Sequence, residues 1–338
     1  MPGLPPTHEL FARAALPAYG RAAETPLRLL SLSENATYLV QDDDKPIVLR
    51  VHRPGYHSLE AIRSELAWMQ ALRAETSVTT PELVAANDGT DVVVAEVDGD
   101  VLHVDAVTFV AGCTAEEDPE AVGFDELGRL TAVMHEHARN WRFPPGFTRF
   151  RWDLETILGP RARWGNWRLA PGLTDADLAV IQRAADDITA KLTEFGSTPD
   201  RFGLVHADMR LANLMVDPAD VAAGITVIDF DDCGWSWYLT DVGAAVSFIE
   251  DTPAGERIIA EWLTGYFEAG SFPAEHLALI PSFVMMRRIM LTAWIASHHD
   301  ADAAIGVGEQ FAPDTARLAQ RYLEDRTWLQ DSIFGSRV

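Results

Sequence analysis

The sequence contains few cysteines and lacks a hydrophobic run long enough to cross a membrane. Only two of its 338 residues are cysteine, Cys113 and Cys233, so we expect no disulfide framework and a reducing compartment. The most apolar stretch, 277–286, contains a proline and is followed directly by two arginines. A membrane helix needs about 18 uninterrupted apolar residues. The N-terminal segment has prolines and a glutamate where a signal peptide has its apolar core, so we expect a soluble, cytoplasmic protein.

Basic residues are also scarce. Lysine and arginine number 27 against 51 aspartates and glutamates, which gives a formal net charge of −24. A chain with this charge repels phosphate backbones and anionic lipid, so neither nucleic acid nor a membrane is expected as a partner. The acidity suits a cationic substrate, and it suits solubility alone equally well. The hydrophobic fraction of 48% is ordinary for a globular protein and excludes disordered and low-complexity classes.

The first part of the chain has the pattern of a strand-rich region with one helix. The apolar runs 37–40 and 47–51 flank a polar turn and predict a β-hairpin. Apolar residues at spacings of three and four then predict a helix, with Ser58 as its N-cap. The runs 81–84 and 92–97, separated by Asn-Asp-Gly, predict a second hairpin.

The rest of the chain has the pattern of a mostly helical region. Asp98-Gly99-Asp100 breaks the strand pattern, and an acidic loop follows at 116–120, so we place a domain boundary between these two features. The expected helices cover 124–138, 178–195, 254–269, 275–297 and 310–330. Two short apolar runs, 203–205 and 225–230, interrupt them and carry the most informative polar residues.

The densest group of such residues is LVHADMRLAN at 204–213, followed by VIDFDD at 227–232. His206, Asp208 and Asn213 have the spacing H-x-D-x-x-x-x-N, and Asp229 follows an apolar run. Phosphoryl transfer from a nucleotide needs a carboxylate near the acceptor hydroxyl and oxygen ligands for Mg²⁺. These residue types can supply both, although aspartate and asparagine are also common in turns.

With these motifs the chain resembles the aminoglycoside phosphotransferase, choline kinase and type II homoserine kinase superfamily, which shares the protein-kinase fold. The resemblance extends from about residue 33 to about residue 299 and is most specific over 204–245. It implies an α+β, two-lobed fold, with a small N-terminal antiparallel sheet lobe and a larger, mostly helical C-terminal lobe. We expect the nucleotide-binding lobe at 1–100, with a hinge near 96–100, and the helical lobe at 101–338.

The resemblance also implies roles for residues of the large lobe. Asp208 corresponds to the catalytic aspartate of the family, and Asn213 and Asp229 correspond to its metal ligands. The implied cofactors are ATP and Mg²⁺. Three further residues are expected to support the site: His206, Asp231 and Asp241.

In the small lobe, Arg50 is in the place of the strand lysine that holds the nucleotide phosphates, and Glu65 in the place of its ion-pair partner. Arginine keeps its charge and can bind phosphate in a bidentate manner. Ser33 and Asn35 match the loop that covers the phosphates, without a G-x-G-x-x-G pattern. Glu96-Val97 resembles the hinge that hydrogen-bonds adenine.

The acceptor pocket is expected to include Trp164, Trp235, Arg287 and Arg288. The two arginines interrupt an apolar stretch, so at least one of them needs a buried acidic partner or an anionic ligand. The tryptophans either pack in the core or form an aromatic wall that contacts an amine.

The predicted activity is transfer of the γ-phosphate of ATP to a hydroxyl of a small molecule, either a hydroxylated amine or amino acid, as in homoserine kinase, or an aminoglycoside. Ala207 follows His206 where many protein kinases have arginine, and an A-P-E motif is absent, which favours a small-molecule kinase. The alternatives are an atypical bacterial Ser/Thr protein kinase of the same superfamily and a nucleotide-binding regulatory pseudokinase. The sequence leaves the oligomeric state open.

Overall fold

The computed structural model describes residues 7–32, 35–41, 45–118, 121–219, 224–298, 306 and 308–335. Its internal contacts divide the chain into two compact units. The first unit consists of Met1–Cys113, Arg142–Arg149 and Met215–Asp231, and the second of Thr114–Trp141, Phe150–Leu214 and Asp232–Val338. The class of fold is that expected, an antiparallel sheet combined with many helices.

The first unit is built on a five-stranded antiparallel sheet with the strand order β1-β2-β3-β5-β4. Its strands are β1 (Leu27–Leu32), β2 (Asn35–Val40), β3 (Ile47–His52), β4 (Val92–Val97) and β5 (Asp100–Thr108), and its helices are α1 (His8–Ala15) and α2 (Leu59–Glu75). Apolar side chains from α1 and from the central strands, including Phe11, Leu49 and Val104, form one buried cluster. Burial of this cluster is the main contribution that holds the sheet against α1.

The first predicted hairpin and the helix after it are confirmed. β2 and β3 pair antiparallel, with Tyr38 opposite Leu49. The side chain of Ser58 accepts a hydrogen bond from the Ala61 N–H at 3.2 Å and so caps α2. The alternation of the strands and the N-cap residue are local signals, which is why the sequence was sufficient here.

The second predicted hairpin is wrong. β4 pairs with β5 through the two-residue turn Asp98-Gly99, and 81–84 contributes only an isolated bridge between Leu83 and Val107. Asp98 and Gly99 both have positive φ (52° and 89°), as a type I′ turn requires, so Asp-Gly joins two strands here instead of ending a lobe. The first unit continues beyond this turn, because β5 belongs to its sheet, and its first segment extends to Cys113.

The second unit is mostly helical. Its helices are α3 (Phe124–Asn140), α4 (Leu154–Ile157), α5 (Asp175–Phe195), α6 (Thr240–Ala245), α7 (Pro253–Ala269), α8 (Ala274–Leu277), α9 (Ile280–Ser297), α10 (Phe311–Glu324) and α11 (Gln330–Phe334). A two-stranded sheet in this unit pairs β7 (Phe202–Val205) with β10 (Gly234–Trp237). Two further short strands, β6 (Cys113–Thr114) and β8 (Leu214–Val216), lie where the chain passes from a segment of one unit to a segment of the other, and β9 (Thr226–Val227) belongs to the first unit.

Two of the expected helices are shorter than the sequence suggested. The segment 275–297 forms α8 and α9, with a break before Pro281, which occupies the first turn of α9. The segment 310–330 ends its helix at Glu324, and α11 follows separately. Within the described part of the chain, one stretch, Ala274–Ser297, is long and apolar enough to cross a membrane. Its most apolar window is 78% buried inside the protein, as in the core helix of a globular protein.

Two glycines allow α3 and α7 to approach each other closely. A Cβ atom at Gly128 would lie 2.0 Å from the carbonyl oxygen of Trp262, and one at Gly265 would lie 1.7 Å from that of Asp125. Real Cβ atoms do not approach backbone this closely, so any larger residue at either position must push the helices apart.

We therefore expect Gly265→Ala to destabilise the protein by about 1–3 kcal/mol or more, because a methyl group would overlap the backbone of α3. The matched control is Gly335→Ala, since the nearest atom to a Cβ at that exposed position lies 4.0 Å away. The free energy of unfolding in urea, measured for both variants, checks this prediction. Equal values for the two variants would contradict the close packing.

Candidate active site

The catalytic loop between β7 and β8 brings together two of the predicted residues of the second unit. Asn213 ends a short 3₁₀ turn, and its Nδ2 donates to the main-chain oxygen of Asp208 at 2.8 Å and to Oδ2 of Asp208 at 2.9 Å. Hydrogen bonds from the Asn213 side chain therefore connect Asp208 and Asn213, which are five positions apart in the loop. The amide nitrogen makes both bonds, which leaves the Asn213 carbonyl oxygen as a potential metal ligand.

Two arginines flank the carboxylate of Asp208. Nη2 of Arg287, on α9, donates to Oδ1 at 2.5 Å, and Nε of Arg210 lies 3.4 Å from Oδ2. Burial alone would raise the pKa of Asp208, but Arg210 and Arg287, with a smaller contribution from His206, lower it to about 2. Asp208 is therefore ionised at neutral pH and can accept a hydrogen bond from a hydroxyl.

Asp241 holds the residue before Asp208 in an unusual conformation. Ala207 has a φ of 68°, in the left-handed region, and its N–H donates to Oδ1 of Asp241 at 2.8 Å. Oδ2 of Asp241 lies 3.0 Å from Nε2 of His135, whose Nδ1 lies 3.0 Å from the Tyr266 hydroxyl. Burial lowers the pKa of His135, so a neutral ring donates from Nε2 and accepts at Nδ1. Asp241 thus accepts a hydrogen bond from the backbone of the loop that carries Asp208.

His206 is fully buried, and its Nδ1 accepts the Asp208 N–H at 3.4 Å. This contact lies within the loop, so the ring can orient the loop backbone.

In the first unit, Arg50 is held by two carboxylates. Its Nε and Nη2 donate to Oδ1 and Oδ2 of Asp105 at 2.9 and 3.0 Å, and its Nη1 donates to Oε1 of Glu65 at 2.6 Å. Nε2 of His52 donates to Asp105 at 2.5 Å. Burial would raise the pKa of Asp105, but Arg50 and His52 lower it to about 2. The predicted ion pair between Arg50 and Glu65 is present, and Asp105 adds a bidentate partner.

A second buried arginine connects Glu65 to the segment Asp229-Phe230-Asp231. Nη1 of Arg149 lies 3.5 Å from Oε2 of Glu65, and Nη2 donates to the main-chain oxygen of Asp231 at 2.5 Å. Nδ2 of Asn35 donates to Oδ2 of Asp231 at 3.0 Å. Asn35, Glu65 and Asp231, which we predicted as site residues, therefore belong to one connected network within the first unit.

The remaining predicted residues of the first unit have different environments. Asp229 is exposed and has a φ of 63°, and its carboxylate has no hydrogen-bond partner among the described residues. Glu96 and Val97 lie in β4, opposite Val101 and Asp100 of the hairpin, and do not form the connection that leaves the first unit. Ser33 lies outside the described residues.

The four candidate acceptor residues divide into two pairs. Arg287 contacts Asp208 directly, and the ring of Trp164 lies 5.2 Å from the Arg287 guanidinium. Arg288, by contrast, is 1% exposed and pairs with Glu250 at 3.0 Å, which gives it a structural role away from Asp208. Trp235 lies in β10 opposite Leu204 of β7. The structure does not bring Arg288 to Asp208, because adjacent residues on a helix project about 100° apart.

A cavity of about 260 Å³ in the second unit has Asp153, Thr193 and Trp237 among its lining residues. It contains none of the predicted acceptor residues, and its walls carry no group that contacts Asp208.

Sequence reasoning missed four residues that bond to the predicted site residues or to their partners: His52, Asp105, His135 and Arg149. No local pattern in the sequence distinguishes His135 from an ordinary helix residue, because the carboxylate that it meets lies 106 positions away. The one available signal was charge inside an apolar pattern, since Asp105 interrupts the run VLHVDAVTF.

A model of the phosphotransferase enzyme family matches residues 27–277, well over half of the chain. The chain therefore belongs to this family. It is an ATP-dependent kinase of the class that phosphorylates hydroxyls of small molecules, and neither the protein kinase nor the pseudokinase alternative is favoured.

Among solved structures, the chain is similar to a microcompartment-associated aminopropanol kinase. The two are 43% identical, with a TM-score of 0.86 over 94% of this chain and 98% of the other. It is also similar to the amicoumacin kinase of Bacillus subtilis (strain 168), at 25% identity over 89% of this chain and 88% of that protein. An amicoumacin kinase structure in complex with AMP-PNP, Ca²⁺ and Ami shares the fold, with 20% identity and a TM-score of 0.73 over 94% and 93% of the two chains. These kinases imply ATP and a divalent cation as cofactors.

We expect Asp105→Asn to destabilise the protein by about 3–5 kcal/mol. The substitution breaks a buried bidentate ion pair and leaves Glu65 to balance the buried charge of Arg50. The matched control is Asp91→Asn, at an exposed position of the same unit. Urea unfolding at neutral pH measures the difference, and equal stability of the two variants would contradict the role of Asp105.

The same pair predicts a pH dependence. The pKa of Asp105 is about 2 in the folded protein against 3.8 for an ordinary aspartate, so its contribution is complete above pH 3.8 and is lost as the pH falls toward 2. The difference in stability between the wild type and Asp105→Asn should therefore shrink as the pH is lowered below about 4. A difference that stays constant through this range would contradict the assignment.

Proposed function

We propose that this enzyme transfers the γ-phosphate of ATP to the hydroxyl of a small amino alcohol, with aminopropanol as the first candidate. The observation that carries this proposal is the 43% identity to an aminopropanol kinase over nearly the whole of both chains. A hydroxylated amine or amino acid was among the acceptors expected from the sequence. The excess of 24 negative charges favours the approach of a cationic acceptor.

In this proposal Asp208 orients the acceptor hydroxyl. The hydroxyl oxygen forms a bond to the γ-phosphorus while the bond between that phosphorus and the β,γ-bridging oxygen breaks, and ADP leaves. The hydroxyl proton passes to the Asp208 carboxylate and from there to solvent. A pKa of about 2 makes Asp208 a weak base, which suits a loose transition state in which the proton is transferred late.

We further propose that Asn213 and Asp229 hold Mg²⁺. The residue types fit this ion, because Mg²⁺ takes oxygen ligands and is commonly bound by one or two side chains together with substrate phosphates. The Asn213 carbonyl oxygen is left over from the hydrogen bonds within the loop, and the Asp229 carboxylate is exposed. The metal would neutralise charge on the transferring phosphoryl group.

The nucleotide phosphates are assigned to Arg50. Three of the five N–H groups of its guanidinium bond to Asp105 and Glu65, so two remain for phosphate oxygens. Asn35 and Ser33 are proposed to cover the phosphates. For Glu96 and Val97, a contact with adenine remains a proposal that rests on the family resemblance alone.

The supporting residues act through the catalytic loop. We assign Asp241 and His206 to fixing the backbone around Asp208, and Asp231 to fixing Asn35. Trp164 and Arg287 are proposed to border the acceptor site, whereas Arg288 and Trp235 are not.

A second candidate acceptor is an amicoumacin-like antibiotic that carries amino and hydroxyl groups. It is favoured by the similarity to two amicoumacin kinases, which is weaker in identity but extends over most of the chain. We also place the enzyme in the cytoplasm, with neither nucleic acid nor a membrane as a partner, because its charge and its cysteine content favour this.

The test is release of ADP from ATP and Mg²⁺ with a panel of acceptors: aminopropanol, ethanolamine, choline, homoserine, amicoumacin and an aminoglycoside. We expect turnover with aminopropanol to exceed that with the others. Turnover with amicoumacin alone would select the second candidate. A lack of turnover with both aminopropanol and ethanolamine would refute the first.

Asp208→Asn should lower kcat by on the order of 10²–10⁴-fold, because the amide cannot accept the proton. The matched control is Asp186→Asn, at an exposed position of α5, which should leave kcat unchanged. Thermal unfolding of both variants checks that the fold is intact, since Asp208→Asn also removes the ion pair with Arg287. A folded Asp208→Asn enzyme with near-normal turnover would refute the mechanism.

A further inference from the structure

Arg287 is buried and aimed at the catalytic aspartate. Its side chain is 2% exposed, and its guanidinium makes three directed bonds: Nε to Ser247 Oγ at 2.9 Å, Nη1 to the Ala207 oxygen at 3.1 Å, and Nη2 to Asp208 Oδ1 at 2.5 Å. The Trp164 ring lies 5.2 Å from the guanidinium. These contacts fix the position of the positive charge, so it cannot move away when an acceptor arrives.

The hydrogen bonds to Asp208 leave few lone-pair sites free on its carboxylate. An ionised carboxylate has about four lone-pair sites. Arg287 occupies one site on Oδ1, while Asn213 and the more exposed Arg210 occupy sites on Oδ2. Among the described residues, this leaves about one site for a hydrogen bond from the acceptor.

A small amino alcohol presents two competing donors to that site. Its ammonium and hydroxyl groups are on neighbouring carbons, and a hydrogen bond from a charged donor to a carboxylate is roughly twice as strong as one between neutral groups. An unpaired Asp208 would therefore bind the ammonium group first. The hydroxyl would then lie away from the catalytic carboxylate, in an unproductive arrangement.

We propose that Arg287 is a specificity-determining residue, which offsets the charge of Asp208 so that the acceptor binds there through its hydroxyl and not through its ammonium group. This inference rests on the proposed function, since it needs an acceptor that carries an amine. Arg210 cannot serve in the same way, because it is 26% exposed, lies 3.4 Å from Oδ2 and also pairs with Glu116. Repulsion of the wrong group by a fixed like charge is a general source of selectivity.

The test compares the wild type with Arg287→Met, using isopropylamine as a probe that has the amine but lacks the hydroxyl. We expect isopropylamine to bind Arg287→Met about tenfold or more tightly than the wild type, as one close charge allows. Binding is measured by calorimetry, and inhibition is measured against aminopropanol. Arg287→Lys keeps the charge and should bind isopropylamine nearly as weakly as the wild type.

The kinetic signature separates this role from a structural one. Unproductive binding lowers kcat and KM for aminopropanol together, so Arg287→Met should show a lower KM along with its lower kcat. If Arg287 had only a structural role, its loss would lower kcat without increasing the affinity for isopropylamine. The control Arg201→Met removes an arginine of the same unit that pairs with Asp200, and it should leave both the isopropylamine constant and KM unchanged.

The outcomes distinguish the inference from the proposed function. A wild-type enzyme that phosphorylates neither aminopropanol nor ethanolamine would refute the proposed function. If the wild type is active but Arg287→Met binds isopropylamine no more tightly, the inference is overturned and the function stands. If Arg287→Met does not fold, Ser247→Ala decides, because it removes only the bond to Nε. It should tighten isopropylamine binding to a smaller degree, and an unchanged constant would overturn the inference.

Discussion

The catalytic loop depends on one hydrogen bond, from the Ala207 N–H to the Asp241 carboxylate. Ala207 has a left-handed backbone, which costs an ordinary residue about 1–2 kcal/mol, so the loop needs a partner that holds it there. Asp241 can do this because its other oxygen is itself fixed by His135, whose ring is fixed by Tyr266. The position of the next residue, Asp208, follows from this chain of buried contacts. The Asp208 carboxylate is thus positioned in part by residues that do not contact it, in addition to its direct bonds from Asn213 and Arg287.

A small part of the scarce positive charge of this acidic chain lies at buried positions. Four arginines are buried among the described residues, and each of them meets at least one carboxylate: Arg50, Arg149, Arg287 and Arg288. A buried charge without a partner is costly, and the planar guanidinium can bond to carboxylates and main-chain oxygens at once. The same type of contact therefore serves two purposes: it stabilises each unit, and it sets the charge of the residues expected to act on ATP and the acceptor.

The elements that sequence reasoning identified were those with short-range signals. The β2–β3 hairpin and α2 were predictable from alternation and from the Ser58 cap. The pairing of β4 was not, because the same apolar run could pair with 81–84 or with β5, and only the positive φ of Asp98 and Gly99 selects the second. The break before α9 was missed for a similar reason, since Pro281 is compatible with either the interior of a distorted helix or the first turn of a new one.

For the site, the sequence by itself determined what lies within one loop. The H-x-D-x-x-x-x-N spacing was enough to group Asp208 with Asn213, and the two are joined by local hydrogen bonds within the loop. Tertiary structure alone decided the partners of these residues. Arg287 reaches Asp208 across 79 positions, and Asp105 reaches Arg50 across 55. Local pattern does not encode such pairs, since they are selected by the cost of burying a charge without a partner, and that cost arises only when the chain is folded.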